Sequence, residues 1–217
     1  MSRVILVTGA GGPSGDAVTR RFTELGDTVV GVNRSGRGGA LAVDLLDPDA
    51  VRELARRVEA EHGRVDGVIH LVGGWRGSPA FAQTRLEDWD LLHGLLIRTL
   101  QNVSLAFEPL LRASGDGRFV IVSSRAAGKP TQGNAAYAAA KAAAEAWTLA
   151  LADALKGSRA AAVVLVVNAL VHDGMRAANP DNAYKSFTDV ADLATAVSGL
   201  WDEEPGAVNG RRIDLTP

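Results

Sequence analysis

The sequence predicts an α/β fold: one doubly wound parallel sheet of about seven strands, with helices on both faces. Three observations carry this reading. Strand-like and helix-like segments alternate along the whole chain, the strand-like ones are continuous apolar runs, and the first of them ends in a glycine-rich turn. A continuous apolar run needs cover on both faces, and right-handed crossover helices supply it.

Val4 to Val7 is the first strand, closed by Thr8 and the glycine turn. Asp16 to Leu25 has helical spacing (Val18, Phe22, Leu25) and stops at Gly26. Thr28 to Val32 is a second strand and Ala40 to Val43 a brief third, followed by a helix from Pro48 to about His62. Gly67 to Val72 forms the fourth strand and leads into Gly73-Gly74. A long helical stretch covers Leu86 to Leu111, with a kink expected at Pro109. Phe119 to Val122, ending at Ser123-Ser124, is strand five, and Ala135 to Leu155 is an Ala-rich helix. Ala161 to Val167 is strand six, Val190 to Leu200 a helix and Arg211 to Leu215 the last strand.

Composition narrows the function classes. The chain has 217 residues with no repeat, low-complexity linker or second core, so residues 1–217 read as a single domain. Apolar residues reach 47% and aromatics only 5%, which implies a core of Ala, Val and Leu. A net charge of −2 without blocks of like charge argues against a nucleic-acid partner or a polybasic membrane patch. The absence of cysteine excludes disulfides, cysteine nucleophiles and thiolate metal sites. The four histidines lack metal-ligand spacing, so no metal is expected. Met1 to Val7 lacks the regions of a signal peptide, and the longest apolar run, Ala160 to Val167, is too short to span a bilayer. The expectation is a cytoplasmic protein.

The turn Thr8-Gly9-Ala10-Gly11-Gly12-Pro13-Ser14-Gly15 joins the first strand to the first helix. Glycines there let backbone N–H groups approach a pyrophosphate at the positive end of the helix, which points to a dinucleotide. The end of the second strand usually selects between the nicotinamide cofactors. An acid there would repel a 2′-phosphate, whereas this chain has Asn33-Arg34-Ser35, with Arg37 behind. A guanidinium and a hydroxyl favour NADP(H), with NAD possible; the competing reading makes Arg34 and Arg37 ordinary solvated charges. Asp44-Leu45 follow the third strand. Asp44 either accepts from an adenine amino group or caps the next turn together with Asp47-Pro48.

Tyr137 and Lys141 lie four apart on the Ala-rich helix, hence on one face. A phenol ordinarily titrates near ~10, and a nearby ammonium together with a positively charged oxidised nicotinamide would favour its phenolate and bring that value down. Ser124, thirteen residues before Tyr137, either holds a substrate carbonyl oxygen beside the phenol or caps a strand-end turn.

Taken together, Thr8-Gly9 with the following glycines, Asp44, Gly73, Ser124, Tyr137-Ala-Ala-Ala-Lys141 and Asn209-Gly210 resemble the short-chain dehydrogenase/reductase pattern over essentially the whole chain. The resemblance implies a Rossmann fold and an NADP(H)-dependent oxidoreductase acting on a small-molecule carbonyl or alcohol. It makes Tyr137 the general acid/base, Ser124 the group that orients the carbonyl, and Lys141 the residue that holds the nicotinamide ribose and tunes Tyr137. It places the cofactor on Gly9, Gly11, Gly12, Pro13, Ser14, Gly15, Asn33, Arg34, Asp44, Leu45, Val72 and Gly73 beside Tyr137 and Lys141. It also implies a homodimer or homotetramer. The Ala-rich helix suits a subunit contact and equally suits packing on its own sheet.

The chain departs from that pattern in several places. Pro13 stands where the usual turn has glycine, and the Gly9, Gly12, Gly15 spacing resembles a T-G-x-x-G-x-x-G variant. His70-Leu71-Val72-Gly73 replaces Asn-Asn-Ala-Gly, Leu96 stands at the place of the tetrad Asn, and Asn102 is out of position to substitute for it. After strand six the Pro-Gly pair gives way to Val167-Asn168-Ala169-Leu170-Val171-His172-Asp173-Gly174. Val72-Gly73-Gly74-Trp75 is locally similar to dihydropteridine reductase-like members, in which case the reaction is reduction of a pterin-type C=N bond. Trp75 lines the pocket or anchors the surface. A third possibility is an NADP(H)-binding sensor with little turnover. His70 reads as a packed strand-end residue, His93 as a satisfied or solvated one, and His172 and Asp173 as loop residues without catalytic duty.

Overall fold

The computed structural model describes residues 2–217; Met1 lies outside the described residues. Seven parallel strands lie in the order β3-β2-β1-β4-β5-β6-β9. They are β1 (Val4–Thr8), β2 (Thr28–Asn33), β3 (Leu41–Ala42), β4 (Gly67–His70), β5 (Gly117–Ser124), β6 (Ala160–Val167) and β9 (Arg212–Asp214). Every residue of β1, β4 and β6 is buried, as continuous apolar strands covered on both faces must be. One face packs on α2 (Pro48–His62), α4 (Thr99–Ala113) and α5 (Ala135–Ala154), around Leu54, Leu100, Phe107, Phe119 and Leu151. The other packs on α1 (Pro13–Glu24), α7 (Val190–Gly199) and α8 (Pro205–Val208), around Val18, Phe22, Val163, Leu193 and Val208. The strand order turns back between β1 and β4, which opens a crevice at their carboxyl ends.

Two features differ from the sequence expectation. The long helix is interrupted after α3 (Leu86–His93) by a π turn over Gly94–Arg98, and α4 runs unbroken through Pro109. Pro109 and Leu105, whose carbonyl loses its N–H partner there, are both exposed, so water can serve that carbonyl and no kink is forced. Beyond β6, β7 (Ala169–Val171) pairs in parallel with β8 (Phe187–Asp189), and α6 (Asp173–Ala178) lies between them. Strands of three residues carry no readable periodicity, and their pairing is long-range. Asp189 caps α7 through Ala191 N at 2.8 Å and pairs with Arg176 of α6 at 2.6 Å, which ties this segment to the main body.

Candidate active site

A cleft of about 620 Å³ opens at the carboxyl ends of β4, β5 and β6. Ser14 at the start of α1, Val72 and Gly73 after β4, Ser124 at the end of β5, and Tyr137 and Lys141 on α5 all line it. A second hollow of about 190 Å³ is lined by Gly9, Asn33, Arg34, Asp44, Leu45 and Val72. Val72 is common to both, so the two hollows adjoin. The residues singled out from the sequence thus fall into two neighbouring groups. Gly11, Gly12, Pro13 and Gly15 line neither hollow; the first two belong to the turn and the others to the first turn of α1.

Two of the turn's glycines have no alternative, because the protein's own backbone closes on them. Gly9 has φ +78°, and a Cβ there would lie 2.9 Å from the Leu71 carbonyl. A Cβ at Gly15 would lie 2.4 Å from the Gly9 carbonyl oxygen. Pro13 is the first residue of α1, where its missing N–H costs nothing and its fixed φ suits the helix. This accounts for the proline in place of glycine. The turn is also pinned to β2, with Gly9 N and Ala10 N donating to the Val32 carbonyl at 2.9 and 3.2 Å.

Asn33 shapes the loop after β2. Its Oδ1 accepts from Ser35 N at 3.0 Å and Arg37 N at 3.2 Å, while its Nδ2 donates to the Arg37 carbonyl at 2.9 Å. Arg34 and Arg37 are exposed and have no ion-pair partner among the described residues. Asp44 accepts from Leu46 N at 3.0 Å, while Asp47 caps α2. Asn102, as expected, serves elsewhere: its Nδ2 donates to the Leu45 and Leu46 carbonyls at 2.9 and 3.2 Å and so holds the floor of the smaller hollow.

At the cleft, Ser124 is 3% exposed and its Oγ accepts from Ala126 N at 3.2 Å. It therefore caps the strand-end turn, and its hydroxyl also acts on the Tyr137 phenol, opposing the rise in that phenol's pKa. Lys141 is buried, donates to the Val122 carbonyl at 2.8 Å, and holds Nζ 5.8 Å from the Tyr137 ring centroid. The electrostatics of the free protein run opposite to the tuning expected beside an ammonium and an oxidised nicotinamide together. Burial pushes the Tyr137 phenol above its ordinary value, and the Ser124 hydrogen bond opposes that only in part. Lys141 is not among the causes that set the phenol in the free protein, and its own ammonium, which donates to the Val122 carbonyl, is lowered by burial to about 8, with Glu145 opposing. The phenol of the free protein is a proton donor at neutral pH.

Residues 3–183 match the family model of the short chain dehydrogenases. The chain belongs to the short-chain dehydrogenase family. An uncharacterized oxidoreductase of Schizosaccharomyces pombe is 30% identical over 69% of this chain and 60% of its own length, so the chain spans about three fifths of that relative. The 3-oxoacyl-[acyl-carrier-protein] reductase FabG of Thermotoga maritima is 26% identical over 98% of this chain and 96% of its own. A 3-ketoacyl-(acyl-carrier-protein) reductase from Brucella melitensis, solved with NADH, superposes with TM-score 0.83 at 23% identity, covering 98% of this chain and 96% of that one. ElxO, solved with NADP, superposes with TM-score 0.90 at 14% identity, covering 99% and 97%. The structural likeness is one of fold. No helix among the described residues is long and apolar enough to cross a membrane.

Sequence reasoning about this short-chain dehydrogenase missed two polar clusters. His70 is a central link. Thr99 Oγ1 donates its one proton to the Leu95 carbonyl at 2.7 Å, so it accepts from His70 Nε2 at 3.2 Å; Nδ1 is then unprotonated and accepts from Thr8 Oγ1 at 2.8 Å. A neutral imidazole thus joins the end of β1, the end of β4 and the residue that follows the π turn. Glu145 is the other, held by Ser123 at 2.5 Å and Arg212 at 3.0 Å. His172 and Asp173 do not line the cleft, whereas Ala169 and Leu170 just before them do. Leu96 is buried in the π turn and offers no polar group.

Proposed function

We propose that this protein is an NADP(H)-dependent reductase of a small-molecule carbonyl, or equally the dehydrogenase of the matching alcohol. Its binding residues are Gly9, Ser14, Gly15, Asn33, Arg34, Asp44, Leu45, Val72 and Gly73. The observation that carries the reading is the adjoining pair of hollows. One offers Tyr137, Ser124 and Lys141, and the other an unpaired guanidinium on a loop preshaped by Asn33. The two relatives named as ketoacyl reductases support the carbonyl as the reacting group. When bound, the nicotinamide supplies or accepts hydride.

Everything else falls to the chain. Ser124 donates a hydrogen bond to the substrate oxygen and sets it beside the phenol. Tyr137 delivers the proton to that oxygen in reduction and takes it back in oxidation. Lys141 can exchange the Val122 carbonyl for a ribose hydroxyl without leaving its place. Leu71, Val122, Val167 and Leu170 keep the reacting centre dry. Residues 1–217 act as one domain in this reading. The chain forms a homodimer or homotetramer, for which the exposed Leu105 on α4 and Leu149 on α5 offer apolar contact.

A panel of ketones, aldehydes and quinonoid dihydropterin, assayed for loss of the reduced nicotinamide absorbance, tests the reading. Turnover on ketones or aldehydes is the expected result. Turnover on the pterin alone would transfer the proposal to C=N reduction, a likeness to which the family comparisons add no specific support. Tight NADPH binding with no oxidation by any member of the panel would make the protein a sensor. For the cofactor, Arg34→Ala should weaken NADPH about 10–100-fold, the range for one lost charge-assisted bond, and leave NADH nearly unchanged. Equal losses for both cofactors, measured by calorimetry, would remove Arg34 from the 2′-phosphate site.

A further inference from the structure

Tyr137, Lys141 and Glu145 recur at four-residue spacing on α5, so Glu145 sits one turn beyond the lysine on the same face. Its side chain is only 14% exposed, and two strands grip its carboxylate. Ser123 Oγ of β5 donates to Oε1 at 2.5 Å, and Arg212 Nε of β9 donates to Oε2 at 3.0 Å. Ser123 stands between Val122, whose carbonyl receives the Lys141 ammonium, and Ser124, which contacts the phenol. The backbones of β5 and α5 are already paired within sheet and helix, so these side chains are not there to satisfy them.

We propose that Glu145 is a positioning residue that keeps the Lys141 ammonium charged and aimed at the cleft, with Ser123 and Arg212 fixing its carboxylate. The inference rests on the role given to Lys141 above. An ammonium this deeply buried surrenders its proton readily, and burial brings Lys141 down to about 8. Glu145 is the carboxylate that opposes the loss.

The other groups facing Lys141 add no negative charge. His70, from β4, is neutral near pH 7 because burial holds it at about 3. Tyr137, on α5 itself, stays protonated. From β5 comes only the Val122 carbonyl, and from β9 comes Arg212, turned onto Glu145. The carboxylate that favours the lysine's charge is thus anchored to strands 22 and 67 residues away in the chain.

The chain has four lysines, at 129, 141, 156 and 185, which makes the test direct. Side-chain NMR of lysine-labelled protein, with Lys141→Met assigning the buried signal, follows each ammonium against pH. Glu145→Gln should lower the Lys141 midpoint by about a unit or more, a tenfold or greater loss of proton affinity, and leave the other three in place. Glu145→Asp keeps the charge but draws it back from Ser123, so it should give a smaller shift in the same direction; this variant carries the test if the glutamine does not fold. The alkaline limb of kcat/KM should move to lower pH in parallel. An unmoved Lys141 midpoint, or activity lost equally at every pH, would overturn the proposal and leave Glu145 a structural residue. The lysine signal does not need turnover, so failure to find a substrate would count against the proposed function and not against this inference.

Discussion

Replacing Tyr137 with Phe lowers turnover about 10²–10⁴-fold, the usual contribution of a positioned acid or base, while NADPH affinity holds. The ring keeps its partly buried packing against the core of α5 and β5, so the variant removes the hydroxyl and little else. Cofactor affinity survives because Arg34, Lys141 and the glycine turn are untouched. Steady-state kinetics beside calorimetry separates the two quantities. The direction of the pKa shift adds a pH dependence. Since burial raises the phenol in the free protein, reduction should be flat through neutral pH and fall only on the alkaline side. A Phe variant that turned over at the wild-type rate would remove Tyr137 from the chemistry.

Acid should unfold this protein partly through one imidazole. Burial, and then the Lys141 charge, hold His70 at about 3 in the fold against 6.5 when free. Between those values the unfolded chain binds the proton and the folded one does not, so stability is fully present above about pH 6.5 and drains away as pH falls toward 3. At about 1.4 kcal/mol per unit, the upper bound is on the order of 5 kcal/mol, a large part of an ordinary domain's stability. His70→Asn removes the titration while leaving a donor and an acceptor near Thr8 and Thr99. Urea unfolding at pH 7 and pH 4 should show wild type losing several kcal/mol more than the variant over that interval. Parallel losses would show that the imidazole is protonated within the fold. Asp189 also contributes acid sensitivity, because the Ala191 N–H, and then Arg176, hold it below the usual carboxylate range, but that contribution is shared by both proteins and cancels.

The parts of this architecture that could be read from sequence are those encoded locally. Continuous apolar runs announced the buried parallel strands. The glycine turn announced itself because Gly9 and Gly15 answer to steric constraints that no other residue meets. Tyr137 and Lys141 share a helix face by spacing alone. What escaped was set by partners distant in sequence. His70 looked like a packing residue because Thr8 and Thr99, its two partners, lie 62 and 29 residues away. Glu145 carries no sequence signal, because Ser123 and Arg212, which hold it, lie 22 and 67 residues away. No kink is forced at Pro109, because an exposed proline disturbs only the solvent side of a helix; the stretch is interrupted earlier, by the π turn over Gly94–Arg98. The tuning of Tyr137 by Lys141 was inferred from their proximity on the helix, yet in the free protein desolvation, opposed by Ser124, sets the phenol.

The most direct test of the account is isotopic. NADPH deuterated at both C4 positions of its nicotinamide is turned over with a carbonyl from the panel, and the alcohol is examined by mass spectrometry. Deuterium on the former carbonyl carbon, delivered far more slowly by the Tyr137→Phe protein, is the predicted result. An alcohol without the label, or binding of neither dinucleotide to the wild-type protein, would contradict the assignment of this cleft to hydride transfer.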